Sequence, residues 1–291
     1  MDFYKIYKPI TAAPFAHGPD YMEFEPCDAL KPFIRCFWGS SKPYIQPETD
    51  IPTQGLVTPD TCMDIIFDVN FTENTLKGSF CGIDDSSFFT SRINDRRMEL
   101  STFAIRFYAW SAVLFSEESM KDVKNGFFNV DYHFSGLRKE LYPLLFDIIN
   151  IEDRIAIAER FLLQNICPEK SNPVVMQVVY EILRRRGNLR IEQLSRDIHI
   201  SGRHLERIFR ENIGVSPKKF SSLIRYQYLW HDMLFRKDFN VLDAVYELGY
   251  TDQAHLVNDF RQFHTMSPQE AKGFAMKDIL QKTDVKKSWF K

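Results

Sequence analysis

The 291-residue sequence has no C-x-x-C pair, and its five cysteines, Cys27, Cys36, Cys62, Cys81 and Cys167, are odd in number and scattered. That pattern argues against a disulfide framework and for reduced thiols in a cytosol. No apolar run is long enough to span a bilayer. The start, Met1-Asp2-Phe3-Tyr4-Lys5, lacks the basic opening and apolar run of a signal peptide, so a cytoplasmic protein without membrane contact is expected. Histidine is scarce in the first half, where only His17 and His133 occur, far apart and not in an H-x-H. The clustered imidazoles of a metal enzyme are therefore missing there, and no catalytic residue, metal or cofactor is expected.

Charge of one sign is also lacking overall. The net charge is −2, which by itself argues against a nucleic-acid binder. Its distribution argues the other way. Residues 1–171 carry 17 basic and 25 acidic side chains, whereas residues 172–291 carry 20 and 14. A basic part joined to an acidic part suits a DNA-binding domain attached to a separate module, and the length suffices for two domains.

The chain also repeats itself. Leu205, Phe209, Gly214 and Pro217 recur as Leu256, Phe260, Thr265 and Pro268, always 51 positions on. Each copy reads as the second helix of a helix-turn-helix. Ser201 or Thr251 caps it, apolar residues four apart face inward, and a Ser-Pro pair (216–217, 267–268) opens the next helix. The surrounding pattern predicts helices at about 173–186, 191–198, 201–212, 217–236, 241–248 and 252–264, with a short last helix from Pro268. The helix of about 20 residues between the two copies would span roughly 30 Å, against about 34 Å for a turn of B-DNA. Two reading helices could then enter successive major grooves on one face of the duplex.

Residues 21–134 instead show short aromatic and β-branched runs, such as 33–38, 63–69 and 103–107, separated by Pro, Gly, Asn and Asp. A sandwich or barrel is expected. Two helical stripes follow, Leu137 to Ile148 and Ile155 to Leu162, as closing helices. The expected layout is a mainly β N-terminal domain at 1–166, a linker at 167–173, an all-α domain with two helix-turn-helix units at 174–275, and a basic tail at 276–291.

On the outer face of the first reading helix lie Arg203, Glu206, Arg207 and Arg210, and on the second Gln253, Ala254, Asn258 and Arg261. Arg can fork onto guanine, Glu can accept from cytosine, Gln and Asn suit adenine, and Ala suits a thymine methyl. Ser201 and Thr251 can also donate to phosphate. A solvated helix face is the plain alternative for any one of these residues. His204 and His255 sit at matching places and are read as braces of the fold or a phosphate.

The run Ala244-Val245-Tyr246-Glu247-Leu248-Gly249-Tyr250-Thr251-Asp252-Gln253-Ala254-His255-Leu256, with Phe260, Phe263 and Ser267-Pro268, is similar to the signature of AraC/XylS transcription regulators. The first copy matches at Leu194, Ser201, Leu205, Phe209, Gly214 and Ser216-Pro217, so the resemblance covers about 172–275. Departures are His199 and Thr265 in place of glycines, and Ser195 and Val245 in place of alanine. The resemblance implies base-reading roles for Arg203, Glu206, Arg207, Gln253, Ala254 and Asn258. It also implies a nucleoid-associated regulator, of activator type, that partners double-stranded DNA and RNA polymerase. The runs 57–67 and 103–107 resemble an uncharacterised domain found ahead of AraC-type modules, which implies a cupin-like fold that senses a small-molecule effector or pairs subunits. The candidate effector pocket is Phe37, Trp38, Phe67, Phe107 and Trp110, against the plain reading of barrel core. Residues 137–165 are the candidate homodimer surface, against a lid on their own barrel. The rival reading is a metal- or thiol-dependent enzyme or alkyl acceptor built on Asp60, Cys62 and Asp64, which alternate along one strand.

Overall fold

A computed structural model describes residues 2–11, 20–46, 48–94 and 97–282. Among the described residues nine strands make up the N-terminal part: β1 (Met22–Phe24), β2 (Ile34–Gly39), β3 (Tyr44–Gln46), β4 (Thr49–Val57), β5 (Cys62–Asn70), β6 (Thr75–Cys81), β7 (Phe88–Asn94), β8 (Met98–Tyr108) and β9 (Phe127–Asn129). Seven form one antiparallel sheet in the order β1-β2-β8-β5-β6-β9, with β3 also on β8, and β4 pairs with β7 apart from it. Strand β8 is central because its alternation serves two faces. Phe103, Ile105 and Phe107 point one way, and Thr102, Ala104 and Arg106 the other.

The first face is the core. Phe37, Phe67 and Phe103 stack across three strands, and Phe107 stacks on Phe134 of α1 (Asp131–Leu141). With α2 (Ile151–Asn165), this helix closes the domain as expected. The stripe read as one helix to Ile148 ends at Leu141, however. Pro143 has no amide hydrogen to continue the helical ladder, and 142–147 turn instead, although Tyr142 before it is still helical. Those turns expose carbonyls that Arg154 satisfies. Its buried guanidinium donates to the oxygens of Leu145 and Ile148 and to Ser101 Oγ at 2.6–2.7 Å. Among the described residues no carboxylate pairs with it, and burial pulls its pKa down to about 10.

The expected linker is not a free tether. Pro168–Lys170 form a 3-10 turn, and the Cys167 amide donates to Leu114 O on the β domain. Asn172 then caps α3 (Pro173–Arg184) by accepting from the amides of Val174 and Val175. There follow α4 (Ile191–Asp197), α5 (Gly202–Ile213), α6 (Pro217–Phe235), α7 (Val241–Glu247), α8 (Gln253–His264) and α9 (Pro268–Lys282). The last helix is 15 residues long, so the expected short helix and basic tail from 276 are corrected as far as Lys282. Residues 283–291 lie outside the described residues.

Helix α6 is the spine of this half. Phe209 of α5 packs on Phe220, and Phe260 and Phe263 of α8 pack on Tyr226, with Phe260 also against Trp230. The two parts of the chain share one continuous apolar core. Gln227, 2 % exposed, bridges them by donating to Pro59 O at 2.5 Å and accepting from the Ile10 amide at 2.8 Å.

Candidate nucleic-acid interface

Helix α5 starts where Ser201 Oγ accepts from the His204 amide at 3.3 Å. It buries Leu205, Ile208, Phe209 and Ile213 and ends at Gly214, whose φ of 85° only a left-handed cap requires. Helix α8 repeats the plan, burying Leu256, Phe260 and Phe263 and ending at Thr265 with φ 61°. One detail differs from the sequence reading. Thr251 does not cap α8. The turn between α7 and α8 has five residues, 248–252, where that between α4 and α5 has four, 198–201. The extra residue makes Asp252 the cap, accepting from the His255 amide at 2.7 Å, while the Thr251 amide donates to His255 Nδ1. His255 is thus a brace of the turn. Both turns pass through positive φ, at His199 (56°) and Gly249 (69°), so histidine stands in for glycine in the first unit.

All ten expected reading residues are exposed: Ser201, Arg203, Glu206, Arg207 and Arg210 on the first unit, Thr251, Gln253, Ala254, Asn258 and Arg261 on the second. Among the described residues Arg203 and Arg210 carry no ion pair, whereas Arg207 Nη1 lies 2.9 Å from both oxygens of Glu211. An exposed i,i+4 pair contributes only about 0.3–0.5 kcal/mol, so Arg207 can exchange it for a base or phosphate. The second reading helix is fastened to the spine by Arg225, which pairs with Asp259 at 3.0 Å beneath the Tyr250 ring.

The structure does not gather the five aromatics of the expected effector pocket. Phe37, Phe67 and Phe107 lie fully buried on the helix-covered face. Trp110 packs at the end of the domain, 4.6 Å from the Tyr108 ring and 5.5 Å from Phe3. Trp38 alone is on the opposite face, where its Nε1 donates to Asp64 at 2.7 Å. The alternating strands put Phe37 and Trp38 on opposite sides of one sheet, which sequence proximity concealed.

That opposite face is charged. Arg106, 3 % exposed, forks onto Asp64 with Nε and Nη2 at 2.9–3.2 Å. Its Nη1 faces Asp60 at 3.6 Å without a hydrogen bond, and buried Ser79 Oγ has no hydrogen-bond partner among the described residues. Burial, with Asp60 and Asp64 near, pushes the Asp84 carboxyl up to about 7. The sequence reading missed Arg106, although a lone arginine inside an aromatic strand was the signal. The Asp60-Cys62-Asp64 alternation takes a structural form. Asp60 accepts from the Cys62 amide, Asp64 holds Arg106, and burial pushes the Cys62 thiol well above its ordinary range. A thiol held protonated is a poor nucleophile or alkyl acceptor. His133 hydrogen-bonds Ser116 and packs against the Phe80 ring, while His17 lies outside the described residues.

Residues 194–273 match the family described as a helix-turn-helix domain, and residues 22–129 match a domain of unknown function. These matches define a protein that carries a helix-turn-helix domain behind a mainly β domain of unknown function. An uncharacterized helix-turn-helix-type transcriptional regulator of Haemophilus influenzae is 32% identical over 80 residues, 28% of this chain and 26% of that protein. The chain thus matches about a quarter of the relative's length. Among solved structures, ToxT from Vibrio cholerae is 13% identical, with 79% of this chain and 96% of that one covered and a TM-score of 0.38. The C-terminal domain of AraT, a response regulator from Geobacillus stearothermophilus, is 18% identical over 35% of this chain and 86% of that chain, with a TM-score of 0.33.

Proposed function

We propose that this protein is a sequence-specific DNA-binding transcription regulator that places α5 and α8 in two successive major grooves. The observation that carries the reading is geometric. Two capped helices, each with an outer row of exposed polar side chains, are mounted on one 19-residue connector, which at 1.5 Å per residue is about 28 Å long. A connector of that length can hold them roughly one turn of B-DNA apart. Selection of bound fragments from a random DNA pool tests this: a bipartite site with two contacted segments about 10 base pairs apart is expected. A pool that enriches nothing refutes it.

Activation through RNA polymerase, residence at the nucleoid and homodimerisation through 137–165 belong to the same reading. The modulating site moves from the expected aromatics to the charged face of the sheet, because among the described residues Ser79 Oγ is buried there without a hydrogen-bond partner and Arg106 Nη1 has only its longer ion pair with Asp60. Buried polar atoms left unpaired are costly, and an acceptor-bearing small molecule would satisfy them. A metabolite screen by thermal shift should find compounds that stabilise the wild type and not Ser79→Ala. A compound that stabilises both equally binds elsewhere.

A further inference from the structure

Two loops of the β domain form a single platform. One is 82–87, between β6 and β7, and the other is 120–126, ahead of β9. The Gly82 amide donates to Gly126 O, and the Asn125 amide to Ile83 O, both at 3.0 Å. The Asn125 side chain clasps Asp85, accepting from its amide and donating to its carboxylate at 2.8–2.9 Å. Lys124 Nζ adds a contact to Asp85 at 3.2 Å. A side chain at Gly82 would lie 1.8 Å from Val123 O, so the loops touch backbone to backbone.

This platform meets the ends of three helices. The Met120 amide donates to Glu211 O in the last turn of α5 at 2.8 Å. The Ser87 amide and hydroxyl both donate to Phe263 O in the last turn of α8, at 2.7 and 2.8 Å. Asp85 pairs with Lys219 in the first turn of α6 at 3.3 Å. Around Gly214, buried Ile83, Met120 and Val123 complete an apolar seat. Last-turn carbonyls of a helix have no partner within the helix, so each is an open point of attachment. Here one rigid body in the other domain takes such a point from both reading helices, at the ends away from the capped N-termini.

We propose that Asp85 and Ser87 are positioning residues for DNA reading: the platform fixes the angle and separation of α5 and α8, so that the chain accepts its two half-sites at one spacing only. The inference rests on the DNA-reading function proposed above. It follows from the lever geometry. A tie at the C-terminal end of each reading helix restrains its axis beyond what its packing on α6 does. An effector or subunit contact that shifts the 82–87 loop would then alter spacing choice without touching a base-reading side chain.

The test uses the full chain and the selected bipartite site, with one base pair inserted between its halves. The insertion moves one half by about 3.4 Å and roughly 35°. Wild-type protein should bind the lengthened site at least about tenfold more weakly, because one helix loses its base contacts. The Asp85→Ala/Ser87→Ala variant should lose most of that discrimination, while Ser87→Thr, which keeps the hydroxyl, retains it. A double variant that discriminates as sharply as wild type overturns the proposal. If the double variant does not fold, Lys219→Ala cuts the ion pair from the α6 side and is held to the same outcome. If wild type enriches no site, the DNA-reading function fails and the platform is judged by hydrogen exchange without DNA. Faster exchange throughout α5 and α8 in the variant supports it, and unchanged exchange sinks it.

Discussion

His264 makes the second reading unit sensitive to acid. It is the last residue of α8 and is 1 % exposed. Its Nδ1 meets Tyr226 OH at 2.8 Å, its ring packs 4.7 Å from Trp230 and 4.9 Å from Phe260, and Nε2 has no hydrogen-bond partner among the described residues. Burial pulls its pKa from 6.5 down to about 4. Because the folded value lies below the unfolded one, acid protonates the unfolded chain first. The stability from a neutral His264 is therefore whole above pH 6.5 and is lost as pH falls towards about 4, where the loss levels off. At about 1.4 kcal/mol per unit, the full loss is about 3 kcal/mol. The C-terminal end of a helix favours a cation by about 0.3–1 kcal/mol, too little to offset the burial. His264→Phe keeps an aromatic of similar shape and removes the titration, and Tyr226 keeps its bond to Thr58. Urea unfolding of both proteins across this range is the assay. Wild type should lose about 3 kcal/mol more than His264→Phe between neutral pH and pH about 4. His133, also lowered by burial, is common to both and cancels. Parallel stability curves would refute the reasoning.

Arg207→Ala should weaken specific DNA binding by about 1–3 kcal/mol and relax one base position, as measured by binding to a panel of single-base variants. A uniform loss over all sequences would make Arg207 a phosphate contact instead. Gln227→Ala strands Pro59 O and the Ile10 amide in the buried interface and should cost about 1–3 kcal/mol for each group in denaturant unfolding. An unchanged midpoint would mean that water replaces the amide. Thr265→Gly should stabilise the fold by about 0.5–1 kcal/mol, because a β-branched residue there holds φ 61° and glycine does so without strain. A lower unfolding midpoint would contradict that. Leu163→Glu, at a position 46 % exposed on α2, should turn a homodimer into monomers in sedimentation, whereas Ile157 is half-buried against its own core and is the poorer probe. A wild type that sediments as a monomer with and without DNA removes this role for α2.

The helical half was legible because its rules are local. Leu205, Phe209, Leu256 and Phe260 sit four apart on one face, Ser-Pro pairs open α6 and α9, and positive φ falls where the pattern places a helix end, at Gly214 and Thr265. Exposure of the reading face follows from burial of the opposite one. Where one residue more or less mattered, local rules misplaced the detail: the longer turn at 248–252 moved the cap from Thr251 to Asp252, and Pro143 ended a stripe that apolar spacing alone would have continued.

The β half showed its strands but not the partners of their faces. Phe37 and Trp38, or Arg106 and Phe107, are neighbours in sequence and lie on opposite sides of the sheet. Which side is apolar core and which holds buried charge depends on what packs over it. The contacts that join the halves lie further still from local reach. Gln227 on Pro59, Ser87 on Phe263 and Met120 on Glu211 connect positions 91–176 residues apart. Helix periodicity and capping act within a few residues, so the two reading helices and their outward residues could be placed from the chain alone. How those helices are held could not, because the groups that hold them, backbone amides and carbonyls among them, stand far apart in sequence and meet only on folding.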